Sequence, residues 1–141
     1  MNTSDLDQFS KQLLRMAKEQ IPRERKKLLK KEAEKLKKRT LNKAQGIKDK
    51  KSGNCYKGIK ISSVYSNGGC DSIDVYVDSE EAYLVEHGYR QMAEDGSEKN
   101  FVEGCNIFEK AKNEFESEFE SDCEEFMSDT IIGGIVKWVH Y

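Results

Sequence analysis

The clearest structural signal in the chain is the stretch 58–79, GIKISSVYSNGGCDSIDVYVDS. Apolar and polar residues alternate on both sides of Asn67-Gly68-Gly69, as in half-buried strands. An Asn-Gly pair readily adopts the positive φ angles that a tight hairpin turn requires. The stretch therefore predicts a β-hairpin, and its alternating apolar positions are Ile59, Ile61, Tyr65, Ile73, Val75 and Val77.

Helical periodicity precedes this hairpin. Ser4 is a suitable N-cap, and apolar residues at helical spacing predict a helix up to about Gln20. Pro22 removes a backbone donor, so we expect this helix to end or kink there. The apolar spacing then resumes up to about Ala44, and Gly46 is a plausible stop. Residues 48–57 read as a polar connection.

Shorter elements follow the hairpin. Asp78 or Ser79 is expected to cap a short helix that Gly88 ends, and 89–92 and 101–102 read as two short strands. A long helix is predicted from about Asn106 to Thr130, with Gly133-Gly134 as its break. Its apolar stripe comprises Phe108, Ala111, Phe115, Phe119, Cys123 and Phe126.

This order of elements predicts an α+β fold. Strands joined locally, without crossover helices, favour an antiparallel sheet. We expect a long kinked N-terminal helix, a small antiparallel sheet built from hairpins, and a long C-terminal helix packed on the sheet. Residues 1–134 form one domain, with a basic helical arm at 1–46 and the sheet and last helix at 57–130. Residues 135–141, IVKWVHY, form an apolar C-terminal segment.

Composition restricts the function classes. The chain has 141 residues, of which 35% are charged and only 36% hydrophobic. It contains no apolar run near the ~20 residues that span a bilayer and no signal-peptide pattern, so we expect no membrane contact and no secretion. The four cysteines form no CxxC pair, which argues against a zinc site, and a reducing compartment would leave them as free thiols.

The charge is distributed unevenly along the chain. Residues 1–60 carry 19 Lys and Arg against 7 Asp and Glu, a net charge of +12, whereas residues 61–141 carry 5 against 19, a net charge of −14. Three explanations are open: a polyanionic partner for the basic half, contact between copies of the chain, or neutralisation within one monomer. The candidate electrostatic contact residues are Arg23, Lys26, Lys27, Lys30 and Lys37.

No sequence pattern indicates catalysis. The chain has no GxSxG, P-loop, dinucleotide-binding or HExxH motif. Glu86 and His87 are adjacent on a predicted helix, and adjacent helical residues do not face each other. Cys105 has no histidine at a known family spacing. We therefore expect no enzyme activity, no metal and no cofactor.

Three motifs together resemble a known family. They are Lys51-Ser52-Gly53-Asn54, AYLVEHGYR at 82–90, and FVEGCNIFEKAKNEFESEF at 101–119. This combination resembles the small tail-completion, or head–tail joining, proteins of tailed bacteriophages, prophages and phage-tail-like bacteriocins. The chain has Ser52 where the family has Thr, Tyr89 where His is common and Glu103 where Pro is usual. The family-motif or interface residues by this resemblance are Gly53, Asn54, Glu86, His87, Gly88, Arg90, Phe101 and Gly104.

The resemblance implies a structural role in a virion or tail-like particle assembled in the bacterial cytoplasm. It implies an α+β subunit that forms a ring, six-fold in the expectation, at the neck or the end of a tail. The implied partners are tail tube, sheath or connector proteins, with non-specific contact to DNA in the lumen. The C-terminal segment, through Ile135, Trp138 and Tyr141, is expected to dock on its own domain or add a strand to a neighbouring copy. The alternative function is a sequence-independent nucleic-acid-binding module that uses the basic helix.

Overall fold

A computed structural model describes residues 3–133 and confirms the α+β class. The C-terminal segment and its three predicted docking residues lie outside the described part. The helices are α1 (Thr3–Arg15), α2 (Ile21–Ala44), α3 (Lys50–Asn54), α4 (Glu80–His87) and α5 (Ile107–Phe126). The strands are β1 (Ile59–Ile61), β2 (Tyr65–Asn67), β3 (Cys70–Ser72), β4 (Val75–Val77), β5 (Gly88–Met92) and β6 (Glu98–Glu103).

The chain passes from α1 to α2 through a π-helical turn, Met16–Gln20, rather than through a break. The Ile21 N–H reaches the Met16 carbonyl, and both Gln20 and Ile21 keep helical backbone angles. Pro22 follows directly, and the π-helical turn is the way in which this continuous helix accommodates the missing N–H donor. Ser4, the predicted N-cap, lies within α1 rather than before it.

The hairpin forms at the predicted place, but as two consecutive antiparallel pairs. β2 pairs with β3 and β1 with β4, in the register that joins Tyr65 to Ser72 and Ile59 to Val77. Gly68 and Gly69 take the positive φ angles, 61° and 84°, so Asn67 is the last strand residue rather than a turn residue. β5 and β6 form a third antiparallel pair.

Two boundaries differ from the sequence prediction. The polar connection contains α3 and a 3₁₀ turn, Cys55–Gly58, because Asp49 caps this segment by accepting a hydrogen bond from the Lys51 N–H. The last helix continues through a second π-helical segment, Met127–Ile132; Gly133 still has helical angles, and Gly134, the second residue of the predicted break, lies outside the described residues. The predicted cap of α4 is correct, since Ser79 accepts from the Ala82 N–H.

The core is small and lies where α2, α4, α5 and the β1–β4 pair meet. Ala44, Tyr56, Ile59 and Ile107 form its buried centre, and Val75, Val77 and Phe108 are among the side chains packed around it. Ala111 and Phe115 continue the buried stripe along α5. α2 and α5 pack side by side, and this helix pair carries nearly half of the charged residues of the chain.

Candidate functional site

A ladder of ion pairs joins α2 to α5. The paired cations are four residues apart on α2, the acids are four residues apart on α5, and the two helices run antiparallel. Side chains four residues apart share one face of a helix, so each helix presents a charged row to the other. The pairs are Lys35 with Asp122 (Nζ–Oδ2, 2.6 Å), Arg39 with Glu118, and Lys43 with Glu114 (Nζ–Oε1, 2.6 Å).

This ladder decides part of the charge question. Some of the opposite charge of the two halves is neutralised within one monomer, as one of the three explanations held. None of the five predicted contact residues takes part in the ladder. Within residues 3–133, Lys27 pairs only with Glu24 of its own helix, and the other four have no ion pair.

Four of the cations outside the ladder form a row on the far side of α2. At 100° per residue, Arg23, Lys26, Lys30 and Lys37 lie about 170° around the helix from the ladder residues. The first three are exposed and Lys37 is half-buried. We call these four residues the cationic stripe. It faces away from α5, so the acids of the ladder do not neutralise it.

α5 carries a matching row of acids. Glu116, Glu120 and Glu124 are exposed, and no ion pair to them occurs within the described part of the chain. By the same helical geometry they lie about 160° from the ladder residues of α5. We call these three residues the acidic stripe. The two stripes therefore lie on opposite edges of the α2–α5 pair, one positive and one negative.

A buried carboxyl lies beside the ladder. Glu32 is only 3% exposed, and neither of its carboxyl oxygens has a hydrogen-bond partner within the described residues. Lys35 Nζ lies 3.8 Å from Oε1. Burial, and then interaction with the Asp122 carboxyl, raises the pKa of Glu32 from 4.5 to about 7. Contact with Lys35 lowers the pKa of Asp122, so of these two carboxyls Glu32 is the first to take up a proton as pH falls.

The motif residue Glu86 organises the start of α5. Its buried carboxylate accepts hydrogen bonds from the Tyr56 hydroxyl (2.7 Å) and from the Phe108 N–H (3.0 Å). Asn106, the residue before α5, makes no side-chain cap. The Glu86 carboxylate therefore takes the place of the missing N-cap of α5. An acidic group at this position also interacts favourably with the helix dipole. Burial and this hydrogen bond raise the pKa of the Tyr56 hydroxyl.

Two motif glycines permit a close backbone approach next to Glu86. Gly88 has a φ of 85°, and a Cβ there would lie 2.5 Å from the Val102 carbonyl oxygen. A Cβ on Gly104 would lie 2.2 Å from the Glu86 carbonyl oxygen. Contacts this short exclude any side chain. The sequence motifs around Glu86, Gly88 and Gly104 thus meet in space, and they have a structural role there.

The other motif residues are dispersed. Gly53 lies in α3 against the Ala44 carbonyl, and Asn54 is exposed at the end of α3. Arg90 and Phe101 lie opposite each other on β5 and β6, and Phe101 is 59% exposed. The hairpin that carries them presents these two side chains to solvent rather than to the core.

The geometry around His87 does not assemble a catalytic pair. The His87 ring packs on Tyr83, with 4.6 Å between ring centroids, while the neighbouring carboxylate of Glu86 is directed into the core toward Tyr56. The four cysteines are free thiols. No group of three or more His, Cys, Asp or Glu side chains suited to a metal ion occurs within residues 3–133.

Comparisons with known proteins add no relative. No protein family, no curated protein and no solved structure matches the chain. In the described part, no helix is both long and apolar enough to cross a membrane. The stripes on the α2–α5 pair are therefore the strongest candidate functional feature that the molecule itself provides.

Sequence reasoning missed the ladder and the buried Glu32. The four-residue spacing of Lys35, Arg39 and Lys43, repeated in the acids of α5, was a usable signal for an antiparallel charged pair. Glu32 gave no such signal, because its burial depends on how closely α5 packs on α2.

Proposed function

We propose that this protein is a non-enzymatic structural subunit that assembles head to tail into a ring at the neck or tail end of a phage-type particle. One observation carries the assembly step: after the ladder is satisfied, complementary charge stripes remain on opposite edges of the same helix pair. Attraction between such stripes orients each copy relative to the next. A contact between two different surfaces repeats from copy to copy and closes into a ring when its rotation permits.

The stripes are also displaced along the helix pair. The ladder register places Glu120 opposite Lys37, whereas the middle of the cationic stripe lies about eight residues nearer the start of α2. At 1.5 Å per residue this displacement is about 12 Å. Neighbouring copies that pair these stripes are therefore staggered along the helix axis, as in a ring whose subunits are tilted relative to the ring axis.

The N-terminal helix adds an apolar surface at the cationic end. α1 makes no extensive contact with the body of the described chain, and its Leu6, Leu13 and Leu14 are 52%, 37% and 54% exposed. Exposed leucines along one amphipathic helix are typical of segments that pack on a partner. An arm of this kind suits a protein that becomes fully packed only in an assembly.

The phage-type particle in this proposal comes from the resemblance to tail-completion and head–tail joining proteins. In that setting the partners are tail tube, sheath or connector proteins, and DNA passing through the ring meets the subunits without sequence-specific contacts. The protein acts through shape and charge, and no turnover is involved.

The assembly step is tested by light scattering of the purified chain at low and high salt. We expect a ring-sized species whose mass falls as salt screens the stripes. Reversing three stripe charges, Lys26→Glu, Lys30→Glu and Lys37→Glu, should abolish it. The matched control reverses three cations outside the stripe: Lys48→Glu, Lys57→Glu and Lys60→Glu.

A rescue experiment makes this test specific. The variant with Glu116→Lys, Glu120→Lys and Glu124→Lys should also fail to assemble by itself. Mixing it with the variant reversed at the cationic stripe restores opposite charges at every contact, so mixed assemblies should form. Equal masses for the wild type and all variants at every salt concentration would refute charge-directed assembly.

The particle itself is tested by electron microscopy. Antibodies against the chain, applied to tail-like particles from the cells that encode it, should label the neck or one end of the tail. Particles that carry no label at either place would refute the phage assignment, whatever the protein does in solution.

The cationic stripe also favours a second candidate, sequence-independent binding of nucleic acid. Four exposed or half-exposed cations that follow one helix face match a phosphate backbone, and α2 contains no aromatic side chain that could stack on bases. Four phosphate contacts predict a slope of about −3.6 for log K against log salt concentration on duplex DNA. The absence of binding at low salt would eliminate this candidate.

A further inference from the structure

A groove of about 630 Å³ lies between β4 and α4. All three residues of β4 line one side, Ala82 and Tyr83 of α4 line the other, and Phe108 of α5 also contributes. Successive side chains of a strand point to opposite faces, so a groove that meets three consecutive residues runs along the edge of the strand. The groove thus follows an edge of the sheet.

That edge of β4 is unpaired within residues 3–133. β4 has only β1 as a neighbour. Asp74 directs both its carbonyl and its N–H toward Ser62 on the β1 side. Because these groups alternate in direction along an antiparallel strand, the N–H and C=O groups of Val75 and Val77 point to the open edge. A strand placed in the groove would find two residues ready to hydrogen-bond.

The C-terminal segment is the occupant whose sequence suits this edge, and its length decides which copy supplies it. The groove comes nearest to Gly133 at Leu36, which the ladder register places opposite residue 121 of α5, about 18 Å from Gly133 along the helix. Trp138 lies five residues beyond Gly133, which is about 17 Å of extended chain. Residues 135–139 therefore cannot lie along β4 of their own chain.

We propose that residues 135–139 of one copy add as a strand to the open edge of β4 in a second copy. This inference deepens the proposed function and rests on it, because it specifies a second contact between neighbouring subunits. Val75 and Val77 pack toward the core beside Phe108, whereas Tyr76 points to the other face. The added strand places Val136 and Trp138 on the core side, since the alternative would bury the charge of Lys137.

The test uses a labelled peptide with the sequence of residues 133–141, GGIVKWVHY. It is added to full-length Trp138→Asp protein, whose own segment no longer competes for the groove. Fluorescence anisotropy should show saturable binding with the same affinity at low and high salt, because backbone hydrogen bonds and apolar contacts carry it. Val77→Pro removes an edge N–H and should weaken binding roughly tenfold or more.

Two controls distinguish binding of the peptide in the groove from non-specific binding. Tyr83→Asp changes an exposed groove side chain without touching the β1–β4 pairing, so it tests the groove even if Val77→Pro fails to fold. A peptide with Trp138→Asp should lose binding, whereas one with Val139→Asp, on the outer face, should retain most of it. Absence of saturable binding, or equal binding by these two peptides, would overturn the proposal.

The outcome is independent of the charge stripes. Protein with Lys26→Glu, Lys30→Glu and Lys37→Glu should bind the peptide with unchanged affinity. Peptide binding without salt-sensitive assembly would refute charge-directed assembly and keep the strand contact. Salt-sensitive assembly without peptide binding would refute the strand contact and keep charge-directed assembly.

Discussion

Glu32 provides a direct test of the packing between α2 and α5. Its carboxyl is buried without a hydrogen-bond partner in the described structure, and its pKa is raised from 4.5 to about 7. Between these pH values the folded state binds more protons than the unfolded state, so the free energy of unfolding falls as pH rises. Glu32→Gln keeps the shape and removes the ionisation. We therefore expect this substitution to stabilise the protein at high pH only.

The magnitude follows from the pKa change. The pKa of Glu32 rises from 4.5 to about 7. At about 1.36 kcal/mol per pKa unit, this rise means that the ionised group costs about 3 kcal/mol in the folded state. The cost is fully present above pH 7 and absent near pH 4. Glu32 also interacts with Lys35 and Asp122, so part of this cost is shared with them. We therefore expect Glu32→Gln to raise the free energy of unfolding by about 2 to 3 kcal/mol at pH 8.

The assay is urea unfolding followed by circular dichroism at pH 4, 6 and 8, at a protein concentration where the chain is monomeric. Wild type and Glu32→Gln should have similar free energies of unfolding at pH 4 and diverge as pH rises. Glu34→Gln, an exposed position on the same helix, is the matched control and should change stability by less than about 0.5 kcal/mol at each pH. A stabilisation by Glu32→Gln that is the same at pH 4 and pH 8, or a loss of stability at pH 8, would refute the reasoning.

Three further predictions concern the surroundings of Glu86 and the ladder. Gly104→Ala should destabilise the fold by more than about 3 kcal/mol in denaturant unfolding, because its Cβ would overlap the Glu86 carbonyl, whereas Gly58→Ala, with open space around it, should have little effect. Tyr56→Phe should cost about 1 to 3 kcal/mol in the same assay, since it removes a hydrogen bond to a buried carboxylate. Lys43→Ala should cost at most about 1 kcal/mol, and less in high salt, because its ion pair is partly exposed; a larger, salt-independent loss would contradict this.

The fold could be predicted from the sequence where periodicity was strong. The helices around Leu36 and Phe115, the turn at Gly68-Gly69 and the Ser79 cap all follow from local spacing and turn chemistry. The π-helical turn before Pro22 could not, because it is one of several ways in which a helix accommodates a missing donor. The helical turns at 50–58 were missed because a segment this short and polar has no readable apolar period.

The candidate site divides in the same way. Residues free of the ladder, such as Lys26 and Lys30, were identified from the sequence as an exposed cationic face. The internal partners of Lys35 and Arg39 depended on which face of α2 meets α5, and the sequence of one helix does not contain that information. The motif residues Glu86 and Gly104 were singled out by resemblance. Only the structure shows that Glu86 caps α5 and that Gly104 lies against the Glu86 backbone.

The position of the charges, more than their number, restricts the kind of assembly. In a two-fold dimer the same surface of both copies meets, so a contact through the cationic stripe would place cations against cations. The two stripes lie on opposite edges of the α2–α5 pair, and a favourable contact therefore joins the positive edge of one copy to the negative edge of the next. Such a contact always leaves one unsatisfied edge at each end of an open chain of copies. Closing the chain into a ring satisfies every edge, and this is the reason why we propose a ring instead of a dimer.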